Sequence, residues 1–137
     1  MEDLEILCLD TDILIDFLRG ETKTTKEVKK LEDLFELTTT AINLFELYYG
    51  VYKTGRDRNV NAIRELENRL EVLKFTSTSA KISGEILSKL EKKGEAIDFR
   101  DVMIASIGIE NDVALYTRNV KHFERVEGLK LYEFHEF

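Results

Sequence analysis

Four acidic residues far apart in the chain, Asp10, Glu46, Asp98 and Asp101, each fall where a strand ends or a helix begins or turns over a sheet. Two carboxylates about 4 Å apart repel by roughly 4 kcal/mol at an effective dielectric of about 20, so a pocket that gathers them takes up a proton or a cation. A hard divalent cation suits such oxygen donors. Asp10 directly follows the apolar run Ile6-Leu7-Cys8-Leu9, the pattern of a fully buried parallel strand, and ligands of parallel sheets collect at the carboxyl ends of the strands. An aspartate there can also cap the next helix. Asp12, two residues on, is expected to fill that role and leave Asp10 free to act as a ligand.

Glu46 lies among Ile42, Leu44, Phe45, Leu47, Tyr48 and Tyr49, where an unpaired carboxylate would be costly to bury. Its helical neighbours three before and four after are Asn43 and Gly50, an amide and a residue without a side chain, which leaves room for an ion and its waters. The alternative is a surface Glu paired with Lys53. Asp98 and Asp101 stand three apart at a helix start. One is expected to cap the helix and the other, Asp101, to face the end of the sheet. Arg100 between them either positions a phosphate or neutralises the pair.

Other chemistries find less support. His122 and His135 make no zinc arrangement with the lone cysteine, no Ser/His/Asp order stands out, and no glycine-rich phosphate loop follows the first strand. The aromatic group Phe45, Tyr48, Tyr49 and Tyr52 is either core or a protein interface.

The elements that must position these acids alternate. Strand patterns at 6–9, 38–40, 72–75, 113–117 and 130–132 are separated by helical ones. These are a short helix from Asp12 to Arg19, a stripe of Val28, Leu31, Leu34 and Phe35, and a helix from Ala41 to Lys53 closed by Gly55. They continue with Val60, Ile63, Leu66 and Leu70, with Ile82, Ile86, Leu87 and Leu90, and with the almost wholly apolar run Val102–Ile109 that Asp98 opens. Alternation predicts an α/β fold with a parallel sheet covered by helices on both faces.

With 137 residues and no repeat or linker, the chain is read as one domain, residues 1–137. Cys8 inside the first strand pattern predicts a buried, inert thiol and no intramolecular disulfide. No apolar run approaches the roughly 20 residues that span a bilayer, and Met1-Glu2-Asp3 lacks the positive start of a signal peptide. A soluble protein of the reducing cytoplasm is expected. The net charge of −7 argues against a broad nucleic-acid surface, although an acidic pocket concentrates part of it. Lys26, Lys29, Lys30, Lys53, Arg56, Arg58 and Arg64 leave room for local basic surface.

Taken together, LDTDILIDFLRG at the start, AINLFELYYGV around Glu46, IDFRDVMIAS around Asp101 and LYTRNVKHFERVEGLKL near the end resemble a PIN domain of the VapC toxin type, over almost the whole chain. The resemblance implies a three-layer α/β/α fold on a five-stranded parallel sheet. It also implies an Mg²⁺- or Mn²⁺-dependent ribonuclease acting on single-stranded or looped RNA, homodimeric and paired with a small antitoxin protein. The family's acids map onto Asp10, Glu46 and Asp101 as catalytic metal ligands. Asp98 or Asn119 completes the set, and Asp12, Asn43, Arg100 and Asn119 support the acids or touch the substrate. Two other readings use the same residues differently. One is a haloacid-dehalogenase-like phosphatase with Asp10 as its nucleophile, which leaves Glu46 without a role. The other is a non-catalytic PIN-like binding module.

Overall fold

The computed structural model describes residues 5–56 and 59–133, so Arg58 and His135 lie outside the described residues. Five parallel strands, β1 (Glu5–Leu9), β2 (Phe35–Thr40), β3 (Glu71–Leu73), β4 (Ala114–Tyr116) and β5 (Lys130–Leu131), form one sheet in the order β3-β2-β1-β4-β5. Around them stand α1 (Thr11–Leu18), α2 (Thr22–Leu34), α3 (Ala41–Thr54), α4 (Val60–Arg69), α5 (Ser77–Lys92), α6 (Phe99–Glu110) and the single turn α7 (Val120–Phe123).

The period of two along β1 sends its side chains to opposite faces, and the core divides accordingly. Leu7 and Leu9 pack with Ile13, Val28, Leu31, Leu44, Leu47, Ile63 and Leu66 from α1 to α4. Cys8 packs on the other face with Ile104, Ala105, Ile107, Leu115 and Phe123. The result is the three-layer α/β/α arrangement with a five-stranded parallel sheet. Burial pushes the Cys8 thiol up to about 12, which keeps it protonated and unreactive. Among the described residues no helix is long and apolar enough to cross a membrane.

Several boundaries differ from the sequence reading, each for a tertiary reason. Phe35, assigned above to a helical stripe, opens β2, because it pairs in register with Glu5 of β1. Leu34 is left exposed at the helix end. The third strand is Glu71–Leu73 rather than 72–75, since Thr76 caps α5 by accepting from the Ser79 N–H and so draws the chain out of the sheet. Helix α7 escaped notice because four residues are too few to show a 3.6-residue period.

The topology fixes where a site can form. From β1 the chain runs outward to β2 and β3 on one side, whereas β4 and β5 lie on the other. The carboxyl ends of β1 and β4 therefore flank a switch in strand order, the place where a crevice opens in parallel sheets. Asp10 stands there, its N–H donating to the Tyr116 carbonyl at 3.0 Å.

Candidate metal centre

Asp10 is 6% exposed and both its carboxylate oxygens are engaged. Oδ1 accepts from the Thr11 N–H at 2.9 Å and from Asn43 Nδ2 at 2.9 Å, and Oδ2 accepts from the Thr117 hydroxyl at 2.6 Å. Three donors would ordinarily hold a carboxyl low. Burial outweighs them, and with repulsion from Asp12 it pushes Asp10 up to about 6. Asp10 also occupies the N-cap position of α1, which corrects the expectation that Asp12 would do so. Asp12 lies inside the first turn. Its Oδ1 accepts from the Ile13 N–H at 2.8 Å, and its Oδ2 faces the Arg118 N–H at 3.0 Å and the Thr117 hydroxyl at 3.4 Å.

The sequence places Glu46 by way of α3's own start. Thr40, at the end of β2, caps α3 in a reciprocal box with Asn43. That cap orients the fully buried Asn43 so that its Nδ2 reaches both Asp10 Oδ1 and, at 2.8 Å, the Thr11 hydroxyl. The same hydroxyl donates to Glu46 Oε1 at 2.8 Å. One turn of α3 thus connects the two acids through Asn43 and Thr11. Glu46 is raised above the usual carboxylate range, first by burial and then by repulsion from Asp101 and Asp98, against the pull of Thr11 and Arg100.

Asp98 caps α6, its Oδ1 accepting from the Arg100 N–H at 2.8 Å and from Arg100 Nε at 3.3 Å. Arg100 also stands 4.0 Å from Glu46 Oε2, so it neutralises acids on two helices. Asp101, one turn into α6, is raised by burial and by Asp98. Its Oδ2 lies 3.7 Å from His122 Nδ1, which meets the Asn119 amide at 2.9 Å. Asp10, Asn43 and Glu46 are therefore joined by hydrogen bonds, and Arg100 and mutual repulsion tie Glu46 to Asp98 and Asp101.

Among the described residues no three acidic, histidine or cysteine side chains converge tightly enough to form a finished ion cage. What the acids share is a neighbourhood. Its donor set is oxygen, three of its members sit above their ordinary pKa, and Arg100 is the cation that bridges α3 and α6. Those properties fit a hard divalent ion bound by Asp10, Glu46 and Asp101, whose charge would offset the burial and repulsion that now raise them.

Thr11, Thr117 and His122 were not singled out as supporting residues from sequence. Thr117 had a legible signal, since it is the polar residue at the carboxyl end of the strand beside β1. Thr11 and His122 had none, because hydrogen bonding across elements leaves no trace in local spacing.

The profile of the PIN domain matches residues 7–129. The chain belongs to the PIN-domain family. Its relatives include ribonuclease VapC2 of Rickettsia felis, 33% identical over 92% of this chain and 96% of that protein. Ribonuclease VapC1 of Methanocaldococcus jannaschii is 30% identical over 96% of this chain and 90% of its own length. The tRNA(fMet)-specific endonuclease VapC of Shigella flexneri is 29% identical over 89% and 92%. Among solved structures, VapBC2 of Rickettsia felis, bound to a promoter DNA fragment, superposes with a TM-score of 0.85 at 29% identity, covering 95% of this chain and 99% of that one. Within the PIN family the chain is thus a VapC-type member.

Proposed function

We propose that this protein is a metal-dependent ribonuclease that hydrolyses phosphodiester bonds of single-stranded or looped RNA and serves as the toxin of a toxin–antitoxin pair. One observation carries the reading: Asn43 and Thr11 link Asp10, at the strand-order switch, to Glu46, which Arg100 and mutual repulsion tie in turn to Asp98 and Asp101 on α6. Mg²⁺ or Mn²⁺ held by Asp10, Glu46 and Asp101 would supply an activated water and stabilise the charge growing on the phosphate. The chain's own residues do the rest. Thr11, Asn43 and Thr117 fix both oxygens of Asp10, Thr11 orients Glu46, and Arg100 stands where it can meet a phosphate once Glu46 is occupied. Asp98 or Asn119 is the fourth contributor.

The phosphatase alternative loses support from the geometry, because Glu46, tied to Asp10 through Thr11 and Asn43, has no role in it. The relatives solved as VapBC assemblies support a small antitoxin as partner. A homodimer fits α3, where Phe45 and Tyr52 are 56% and 62% exposed and Phe45 stacks on Tyr49. A reducing cytoplasm suits the free Cys8.

The test is cleavage of single-stranded, hairpin and duplex RNA by the purified protein with Mg²⁺, with Mn²⁺ and with chelator, beside a phosphomonoester. Cleavage of the unpaired RNAs that chelator abolishes is the expected result. Faster phosphomonoester hydrolysis, or an acid-labile phosphate trapped on Asp10, would sink it. Light scattering at micromolar concentration should give a dimer, and Phe45→Ser/Tyr52→Ser a monomer. A monomeric parent protein would refute the dimer.

A further inference from the structure

The turn after β4 carries Thr117 and Asn119 toward the acids, but Arg118 between them turns its side chain the other way. Its N–H donates to Asp12 Oδ2 at 3.0 Å, its Nε to Asp16 Oδ2 at 3.0 Å and its Nη2 to the fully buried Thr24 hydroxyl at 2.7 Å. One residue thereby fastens the turn to α1 at two points and to the first turn of α2. Strand pairing stops at Tyr116, so the sheet itself does not hold Thr117. The Thr117 oxygen accepts the Asn119 N–H at 3.0 Å, and its proton goes to Asp10 Oδ2 at 2.6 Å. The aim of that hydroxyl depends on how the 117–119 backbone is held.

We infer that Arg118 is a positioning residue, whose two-armed grip on Asp16 and Thr24 keeps the Thr117 hydroxyl on Asp10; the inference rests on the ribonuclease reading above. Contact with substrate phosphate is the competing role. The Nε and Nη2 edge of the guanidinium, one of its two edges that can meet a phosphate in bidentate fashion, is already occupied by Asp16 and Thr24. Lysine keeps the charge but carries all its donors on one nitrogen and lacks the planar Nε/Nη2 fork, so Arg118→Lys separates geometry from charge.

The experiment compares the full-length protein with Arg118→Lys, Thr24→Val, Thr117→Val and Arg118→Lys/Thr117→Val. It reads kcat and KM on a single-stranded RNA, Mn²⁺ affinity by calorimetry without RNA, and Tm. Arg118→Lys should lower kcat or Mn²⁺ affinity by about tenfold with KM little changed, as losses around metal ligands do. Thr24→Val removes the acceptor of the other arm from a different helix at nearly constant volume and should reproduce the loss. In the Thr117→Val background Arg118→Lys should add nothing, because both act on one hydrogen bond. A raised KM at constant kcat, or full additivity with Thr117→Val, would overturn the inference. So would a fall in Tm with kcat and Mn²⁺ affinity intact. A parent protein that neither binds Mn²⁺ nor cleaves RNA refutes the ribonuclease reading instead. Hydrogen exchange of the Asn119 amide then decides the positioning role, which stands if Arg118→Lys accelerates it and falls if exchange is unchanged.

Discussion

Asp10 and Asp98 are the same residue at the same kind of position, the N-cap of a helix, and they titrate in opposite directions. Asp10 is buried at the carboxyl end of β1, and burial pushes it up to about 6 in spite of three donors. Asp98 is exposed at the start of α6, where hydrogen bonds from Arg100 hold it below the ordinary range. A helix N-terminus favours the anion at both sites, so the cap does not make the difference. Desolvation does, because the dipole of one helix end is worth about 1 kcal/mol whereas full burial of a carboxylate shifts its pKa by up to 3–5 units. A capping aspartate held high by burial is one that a nearby cation would stabilise.

The contrast can be broken most severely at Asp10. Asp10→Asn should lower metal-dependent RNA cleavage by about 100-fold or more, since the amide keeps the shape and removes the charge. The fold should survive. Asn43 and the Thr11 N–H can still donate to the remaining oxygen, and the Thr117 hydroxyl can turn toward Asp12, 3.4 Å away, while accepting from the new amide. Apo Tm equal to or above that of the parent protein is expected. A large fall in Tm would make Asp10 a structural residue.

The second test is the pH dependence of apo stability. A carboxyl raised in the folded state binds its proton more tightly there than in the unfolded chain, so its ionised form opposes folding at neutral pH. Stability should therefore rise as pH falls through about 6 toward 4, by about 2–3 kcal/mol from Asp10 alone. Denaturant titrations of Asp10→Asn should lack that component. Asp98 has the reverse sign: being lowered, it supports the fold above the ordinary carboxylate range and loses that support as pH falls below it. If Asp98→Asn removes the same component as Asp10→Asn, the contrast fails.

The smallest expected change tests whether Asp98 is more than a cap. Serine caps helices within about a few tenths of a kcal/mol of aspartate, so Asp98→Ser should barely move Tm. The Mg²⁺ or Mn²⁺ needed for half-maximal cleavage should nonetheless rise, because the mutant loses a carboxylate and frees Arg100 to pair with Glu46, now 4.0 Å away. Adding Arg100→Gln separates the two causes. Restoration of the parental titration would mean that Asp98 acts by restraining Arg100. An unmoved Asp98→Ser curve beside a shifted one for Asn119→Ala would give the fourth position to Asn119.

Much of the frame was legible because its signals are local. The apolar run 6–9 marks β1, Gly55 marks the end of α3 with a φ of 71°, and the all-round apolarity of Val102–Ile109 marks a buried helix. Asp10, Glu46 and Asp101 could be singled out because charge is costly inside such elements. Cap assignment was less legible, since Asp10 and Asp12 offer the same chemistry two residues apart and only the pairing of Asp10 with Tyr116 fixes where the strand ends.

The sequence by itself thus determined which residues are acidic where acids are expensive, and which segments alternate between strand and helix. Only the tertiary structure decided how those acids are held. Thr11, Asn43, Thr117 and Arg118 come from two helices and the turn after β4, and hydrogen bonds of 2.6–3.0 Å join them to Asp10, Glu46, Asp12, Asp16 and Thr24 across the fold. Periodicity reports burial, which each residue experiences alone. The aim of a hydroxyl or a guanidinium depends on two partners meeting, and the order of the strands brings them together.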